Sequence, residues 1–177
     1  MAASTTKTRE SMKSFNKTGL SVRSILFFYI FELNHSKENL MLSQQRKNMI
    51  VILKRVVVPY LRSHQFKGSF PHFRRVQSDQ MDLVTFQFNR HGGSFTVVLA
   101  QAPATVFLTP WGEQISPQKM TAYDVDVDAR RRLGSHSPYE DGIWFSYESA
   151  QLEQDYIRVA HQVIDSFEQD YSRWAQN

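Results

Sequence analysis

The chain has 177 residues, 41% hydrophobic and 13% aromatic. That is enough apolar material for one packed domain and argues against wholesale disorder. It contains no cysteine, which excludes disulfides, iron–sulfur clusters, thiolate zinc sites and cysteine nucleophiles together. The net charge of +4 conceals an asymmetry: residues 1–122 carry sixteen Lys and Arg against six acids, whereas residues 123–177 carry five Arg against eleven acids. An acidic C-terminal part facing a basic remainder favours internal pairing over one broad nucleic-acid surface, so nucleic acid is a disfavoured partner.

Residues 1–40 differ from the rest. They are rich in Ser, Thr and Lys and hold one apolar run, "ILFFYIF". A bilayer span needs about 20 apolar residues, and this run has seven. Glu32 closes it with no small-residue cleavage site beyond, so a secretory leader is not expected. Lys37-Glu38 is encodable by a ribosome-binding-like sequence two codons before Met41. The expectation is therefore a poorly ordered extension over 1–40, upstream of a natural start at Met41 or even Met49, and a cytoplasmic domain over 41–177.

In chain order, "KNMIVILKRVVVPYLRSHQF" puts Ile50, Leu53, Val57 and Leu61 at helical spacing, which predicts an amphipathic helix from about Ser43 to Ser63. Pro59 inside it predicts a kink or an early end. "FKGSFPHFRRV" reads as extended, with Pro71 at an edge or an irregular start. "MDLVTFQF" alternates, Val84, Phe86 and Phe88 on one face and Leu83, Thr85 and Gln87 on the other. "RHGGS" supplies a turn and "SFTVVLA" returns as the second arm of a hairpin. Residues 101–142 read as irregular with a short strand near Ala104–Leu108, and "GIWFSY" as a further strand. The clearest helix closes the chain, with Leu152, Tyr156, Val159, Val163, Phe167 and Trp174 on one face. The fold class expected is a single α+β domain, an antiparallel sheet of about four strands covered by the N-terminal and the long C-terminal helices.

Several stretches carry a family resemblance: the opening "ILKRVVVPYLRSHQFKGSFPHFRRV", then "VTFQFNRHGGSFTVVLA", then "RRRLG" and "IWFSY". Together, over about residues 49–175, they resemble the bacterial domain-of-unknown-function family DUF4304. Gln65-Phe66 stands where that family often has Gly-Phe. The resemblance implies a bacterial cytoplasmic α+β domain and no particular activity. It singles out Phe73, Arg74, Gln87, Arg132 and Trp144.

Two readings of those residues compete. In one they form a site, in which Arg74 and Arg132 hold a carboxylate or phosphate and Gln87 and Trp144 frame it. In the other, Gln87 bonds a neighbouring strand or loop, Arg132 pairs with acids of the last helix, and Trp144 is core; buried polar groups are ordinarily satisfied by protein, which favours this second reading. Asp124, Asp126 and Asp128 in "YDVDVDARRRLG" have hard-cation spacing. However, Ala129 and Ser135 stand where an EF-hand needs Gly and Glu, and the following arginines suggest local salt bridges instead, so no metal is expected. The six histidines form no H-x-x-x-H or H-E-x-x-H pattern, and phosphate-binding and nucleophile-elbow motifs are missing; no cofactor is implied.

The function class expected first is therefore a non-enzymatic module that binds another protein through Trp111, Tyr123, Arg130, Arg131 and Tyr139, residue types enriched at interface hot spots. A toxin-neutralising immunity protein is one version, by analogy with other small bacterial α+β domains. The alternative is an enzyme or binder of a small anionic ligand using Arg74, Gln87 and Arg132. The third is a nucleic-acid binder using Arg74, Arg75 and the 130–132 run.

Overall fold

A computed structural model describes residues 44–109 and 112–174 of the chain, with side chains as far as Asp170. The expectations for residues 1–40, and for the side chains of Trp111 and Trp174, lie outside the described residues.

Helix α1 occupies 44–63 and buries Met49, Ile52, Leu53, Val57 and Leu61. Ile50, expected in that stripe, is only half-buried, and Met49 and Ile52 take the core positions beside it. The early end expected at Pro59 does not occur. Pro59 is exposed, as is Arg55 four residues earlier, so the carbonyl that proline leaves without an N–H partner faces water rather than the core. The chain then turns at Gln65, which adopts φ 66°, and enters the sheet.

Strands β1 (Lys67–Ser69), β2 (His72–Gln77), β3 (Gln80–Phe88) and β4 (Ser94–Pro103) run antiparallel in sequence order. Short β7 (Arg130–Arg132) and β8 (Phe145–Ser146) share the far edge of β4, pairing with its Val98–Ala100 and Ser94–Phe95 parts respectively. A separate two-stranded ribbon joins β5 (Phe107–Leu108) to β6 (Gln114–Ile115). Six strands in the main sheet exceed the four expected, because strands of two or three residues are too short to show alternation in sequence. Gly92 and Gly93, at φ 89° and 73°, make the β3–β4 turn in the left-handed region that glycine enters without strain.

The alternation expected in β3 and β4 holds, and each face has its own cover. Phe73, Val84, Phe86, Phe95, Val97, Leu99 and Leu133 form one core with α1 and the closing helix α2 (Glu153–Trp174). From α2 come Tyr156, Val159, Ala160, Val163 and Phe167. Leu152, expected in that stripe, precedes the first turn and is 68% exposed; the Asp155 carboxylate reaches back to the Leu152 and Gln151 N–H groups at 3.0 and 3.1 Å, closing the helix start. On the opposite face Met81, Leu83, Val98, Ala100 and Ala102 meet Met120, Ala122 and Val125, so part of the stretch read as irregular is a second cover. Among the described residues no helix is long and apolar enough to cross a membrane.

Candidate functional site

Side-chain alternation and strand register place the candidate residues. Paired residues of adjacent strands share a face. The pairs Arg74↔Leu83, Leu83↔Ala100 and Ala100↔Arg130 form one row, and His72↔Thr85, Thr85↔Val98 and Val98↔Arg132 form the next. Gln87↔Thr96 lies one row further. Arg74, Gln87, Arg130 and Arg132 therefore occupy the same face, opposite the helices, while Arg75 and Arg131 point to the helix side.

The two arginines on the helix side are structural. Arg75 and Asp82 are each 2% exposed; Arg75 donates from Nε and Nη2 to Asp82 Oδ2 at 3.0 and 2.6 Å, and Gln101 Nε2 donates to Oδ1 at 3.0 Å. Phe66 lies under the Arg75 guanidinium, 4.8 Å from ring centroid to Cζ. An arginine enclosed in this way is out of reach of a phosphate backbone, which removes Arg75 from the nucleic-acid reading. Arg131 donates to Asp170 of α2 at 2.5 Å, so the ion pair with the last helix expected of Arg132 is made by its neighbour. Arg130 holds backbone, donating to the carbonyls of Val125 at 2.7 Å and Tyr123 at 2.5 Å.

The acids of "YDVDVDARRR" do not form the local salt bridges expected. Asp124 accepts from Thr121 N and Oγ1 at 2.7 and 2.8 Å, and Asp126 caps the short 3₁₀ turn Val127–Ala129 by accepting from Asp128 N at 3.1 Å. Short acidic side chains next to free N–H groups are drawn into such turns. Among the described residues no group of three or more metal-ligating side chains assembles.

At the open end of the second face the groups are less committed. Arg132 Cζ stands 5.6 Å from the Trp144 ring centroid and pairs loosely with Asp141 at 3.4 Å. Trp144 is 41% exposed, not core. The side chains of the half-buried Gln87 and Arg74 make no hydrogen bond or ion pair among the described residues, so the neighbouring strand does not satisfy the Gln87 carboxamide as expected. Gln87, Arg132 and Trp144 gather at one end. Arg74 is two rows from Gln87, with Tyr123 over the row between, its ring edge-on to His72 at 6.2 Å.

His72 and Thr96 were missed among the candidates. His72 was legible, since it lies two residues from Arg74 and therefore on its face. Its Nδ1 is 3.0 Å from Thr85 Oγ1; burial lowers its pKa below the ordinary 6.5, partly offset by the Asp124 carboxylate. The contact has the spacing of a base and a hydroxyl nucleophile, but Thr85 is 0% exposed, so no substrate reaches its oxygen. Thr96, also buried, donates to the Ile143 carbonyl at 2.8 Å and fixes the segment that carries Trp144 into β8. Burial raises the Tyr123 phenol pKa, with Arg130 and Arg132 opposing. Tyr139 is 81% exposed, and its hydrogen bond to the Asp128 carboxylate raises its pKa. A separate open depression of about 470 Å³ is lined by Asp124, Glu113 and Lys119 among others and includes none of Arg74, Gln87, Arg132 and Trp144.

No curated protein matches the chain, and no solved structure matches it. The family model described as "Domain of unknown function (DUF4304)" matches residues 57–177, two thirds of the chain and nearly all of the sheet-and-helix unit built above, and the chain belongs to that family.

Proposed function

We propose that the domain is a protein-binding module whose contact surface is centred on Tyr123, Arg132, Tyr139 and Trp144. One observation carries this reading. The large exposed hydrophobic residues of the described chain include three aromatics, and all three come from the 123–144 segment, with Ile143 38% and Val127 67% exposed beside them. Arginine and exposed aromatics together are the residue types concentrated at interface hot spots. An immunity-type role, in which the domain occludes a partner's working surface, is one form of this function. Arg130, on the same face, holds the Tyr123 and Val125 carbonyls, Arg131 anchors the strand to α2 from the opposite face, and Trp111 stays within the proposal.

The test is a pull-down from the native host with the full chain as bait, read by mass spectrometry. One protein recovered at near-equal stoichiometry, and lost with Trp144→Ala or Tyr139→Ala, is the expected result. Recovery unchanged in both variants, with both still folded, would sink the assignment.

A second reading keeps Arg74, Gln87 and Arg132 as a small anionic-ligand site. It is favoured by their shared face and by the unpartnered side chains of Arg74 and Gln87. A thermal-shift screen of carboxylate and phosphate metabolites distinguishes it, since stabilisation by ligand follows mass action.

A further inference from the structure

Among the described residues three ion pairs involve arginines of this sheet, and one differs from the others. Arg75–Asp82 and Arg131–Asp170 close at 2.6 and 2.5 Å on acids whose side chains are 3% and 8% exposed. Arg132–Asp141 stands at 3.4 Å, with the Asp141 side chain 96% exposed and that of Arg132 36% exposed. Asp141 is thus a weakly held acid on an accessible guanidinium. Its neighbour Gly142 is packed so closely that a Cβ there would lie 2.3 Å from Arg132 Cβ, which delivers the carboxylate to this arginine.

The surroundings suit a carboxylate brought from outside. The Trp144 ring lies 5.6 Å from Arg132 Cζ, a cation–π distance, and such a contact leaves the guanidinium N–H donors available to a bidentate acceptor. Gln87 is two strands away and one row along, a Cα separation of about 12 Å from strand spacing and rise. A long arginine and a glutamine can close that span to roughly the width of one carboxylate. The Gln87 carboxamide has no partner among the described residues, and Thr96 between them is already committed to the Ile143 carbonyl.

We propose that Arg132, Gln87 and Trp144 form a notch that takes an acidic side chain, aspartate or glutamate, from the protein partner. The incoming carboxylate displaces Asp141 from Arg132 and accepts a hydrogen bond from Gln87, while its methylene stem lies along the indole. Asp141 occupies the guanidinium until the partner arrives. This inference rests on the protein-binding reading and adds the chemistry of the contact.

The probe is the tripeptide acetyl-Glu-Glu-Glu-amide, with acetyl-Gln-Gln-Gln-amide as its neutral counterpart. Each is titrated into the full ¹⁵N-labelled chain at fixed ionic strength, following the Trp144 indole N–H assigned with Trp144→Phe. A saturable shift is expected with the acidic peptide only. It disappears in Arg132→Gln, weakens in Gln87→Ala and persists in Arg74→Gln. Asp141→Asn removes the competitor and tightens binding about two- to fivefold, the range of an exposed ion pair. No saturable shift, an equal shift with the neutral peptide, survival of the shift in a folded Arg132→Gln chain, or unchanged affinity in Asp141→Asn each overturns the proposal. The two readings fail separately. A Trp144-dependent partner with no tripeptide response overturns the notch alone. Tripeptide binding with no partner dependent on Trp144 or Tyr139 overturns the protein-binding reading.

Discussion

Replacing Asp82 with asparagine tests how the sheet is held together. The substitution preserves shape and removes one charge from a pair in which both residues are 2% exposed. Arg75 would keep its charge in that enclosure, above Phe66, with a neutral amide in place of the carboxylate oxygen that two of its donors now reach. Breaking a buried pair from one side costs about 3–5 kcal/mol, because the remaining charge stays desolvated without its counter-charge. Against a typical domain stability of about 5–15 kcal/mol, that is a large fraction. With an m-value near 2 kcal/mol/M, the urea midpoint should fall by about 2 M. The companion variant Arg75→Met/Asp82→Leu removes both charges, and Gln101, which is half-buried, can turn its amide to water. It should return to within about 1–2 kcal/mol of the parent, since apolar replacement of a buried pair is often neutral or better. Equilibrium urea unfolding followed by far-UV circular dichroism measures all three chains. A loss under about 1 kcal/mol in Asp82→Asn, or a double variant no more stable than the single, would refute the claim that loss of the Asp82 counter-charge dominates here.

Three further outcomes follow from the same geometry. Arg131→Gln should destabilise the fold by about 1–3 kcal/mol through the loss of a charge-assisted bond to Asp170 while leaving Trp144-dependent binding intact; urea unfolding and the pull-down together check it. Gly142→Ala, whose new Cβ would also meet the Leu133 carbonyl oxygen at 2.8 Å, should cost about 1–3 kcal/mol by overpacking and lower the thermal midpoint. His72 is a base whose folded pKa lies below its unfolded value of 6.5, with burial as the larger cause. Below pH 6.5 the unfolded chain therefore binds more protons than the folded one, and stability falls as pH drops from 6.5 toward the folded pKa. His72→Gln should flatten that slope, and urea midpoints between pH 7.5 and 5 should show it.

Much of the scaffold was legible because its signals are local. The core spacing of Leu53, Val57 and Leu61, the alternation of β3 and β4, and the paired glycines at the turn each follow from a period of a few residues. The β2–β3 hairpin was harder to read: its turn is Ser78-Asp79, with Ser78 at φ 54°, and lacks the Asn-Gly or Asp-Gly signal that marks such turns. Missing that turn concealed the Arg75↔Asp82 pairing, although only six residues separate the two. Likewise Leu152 continued a helical stripe on paper, but the helix begins one residue later, and a stripe does not say where its first turn lies.

By itself the sequence determined the class of fold, the two main helices, the central hairpin, and the fact that Arg74 and Gln87 follow a strand's two-residue period. It also determined that Arg130 and Arg132 face opposite to Arg131 wherever that run is extended. Only the tertiary structure decided which side that was. The pairing of Val98 with Arg132, across more than thirty residues of chain, turned Arg132 toward Trp144 and Arg131 toward Asp170. Alternation is a property of one strand, whereas facing depends on which neighbour that strand pairs with and in what register; a shift of one residue would exchange the two arginines.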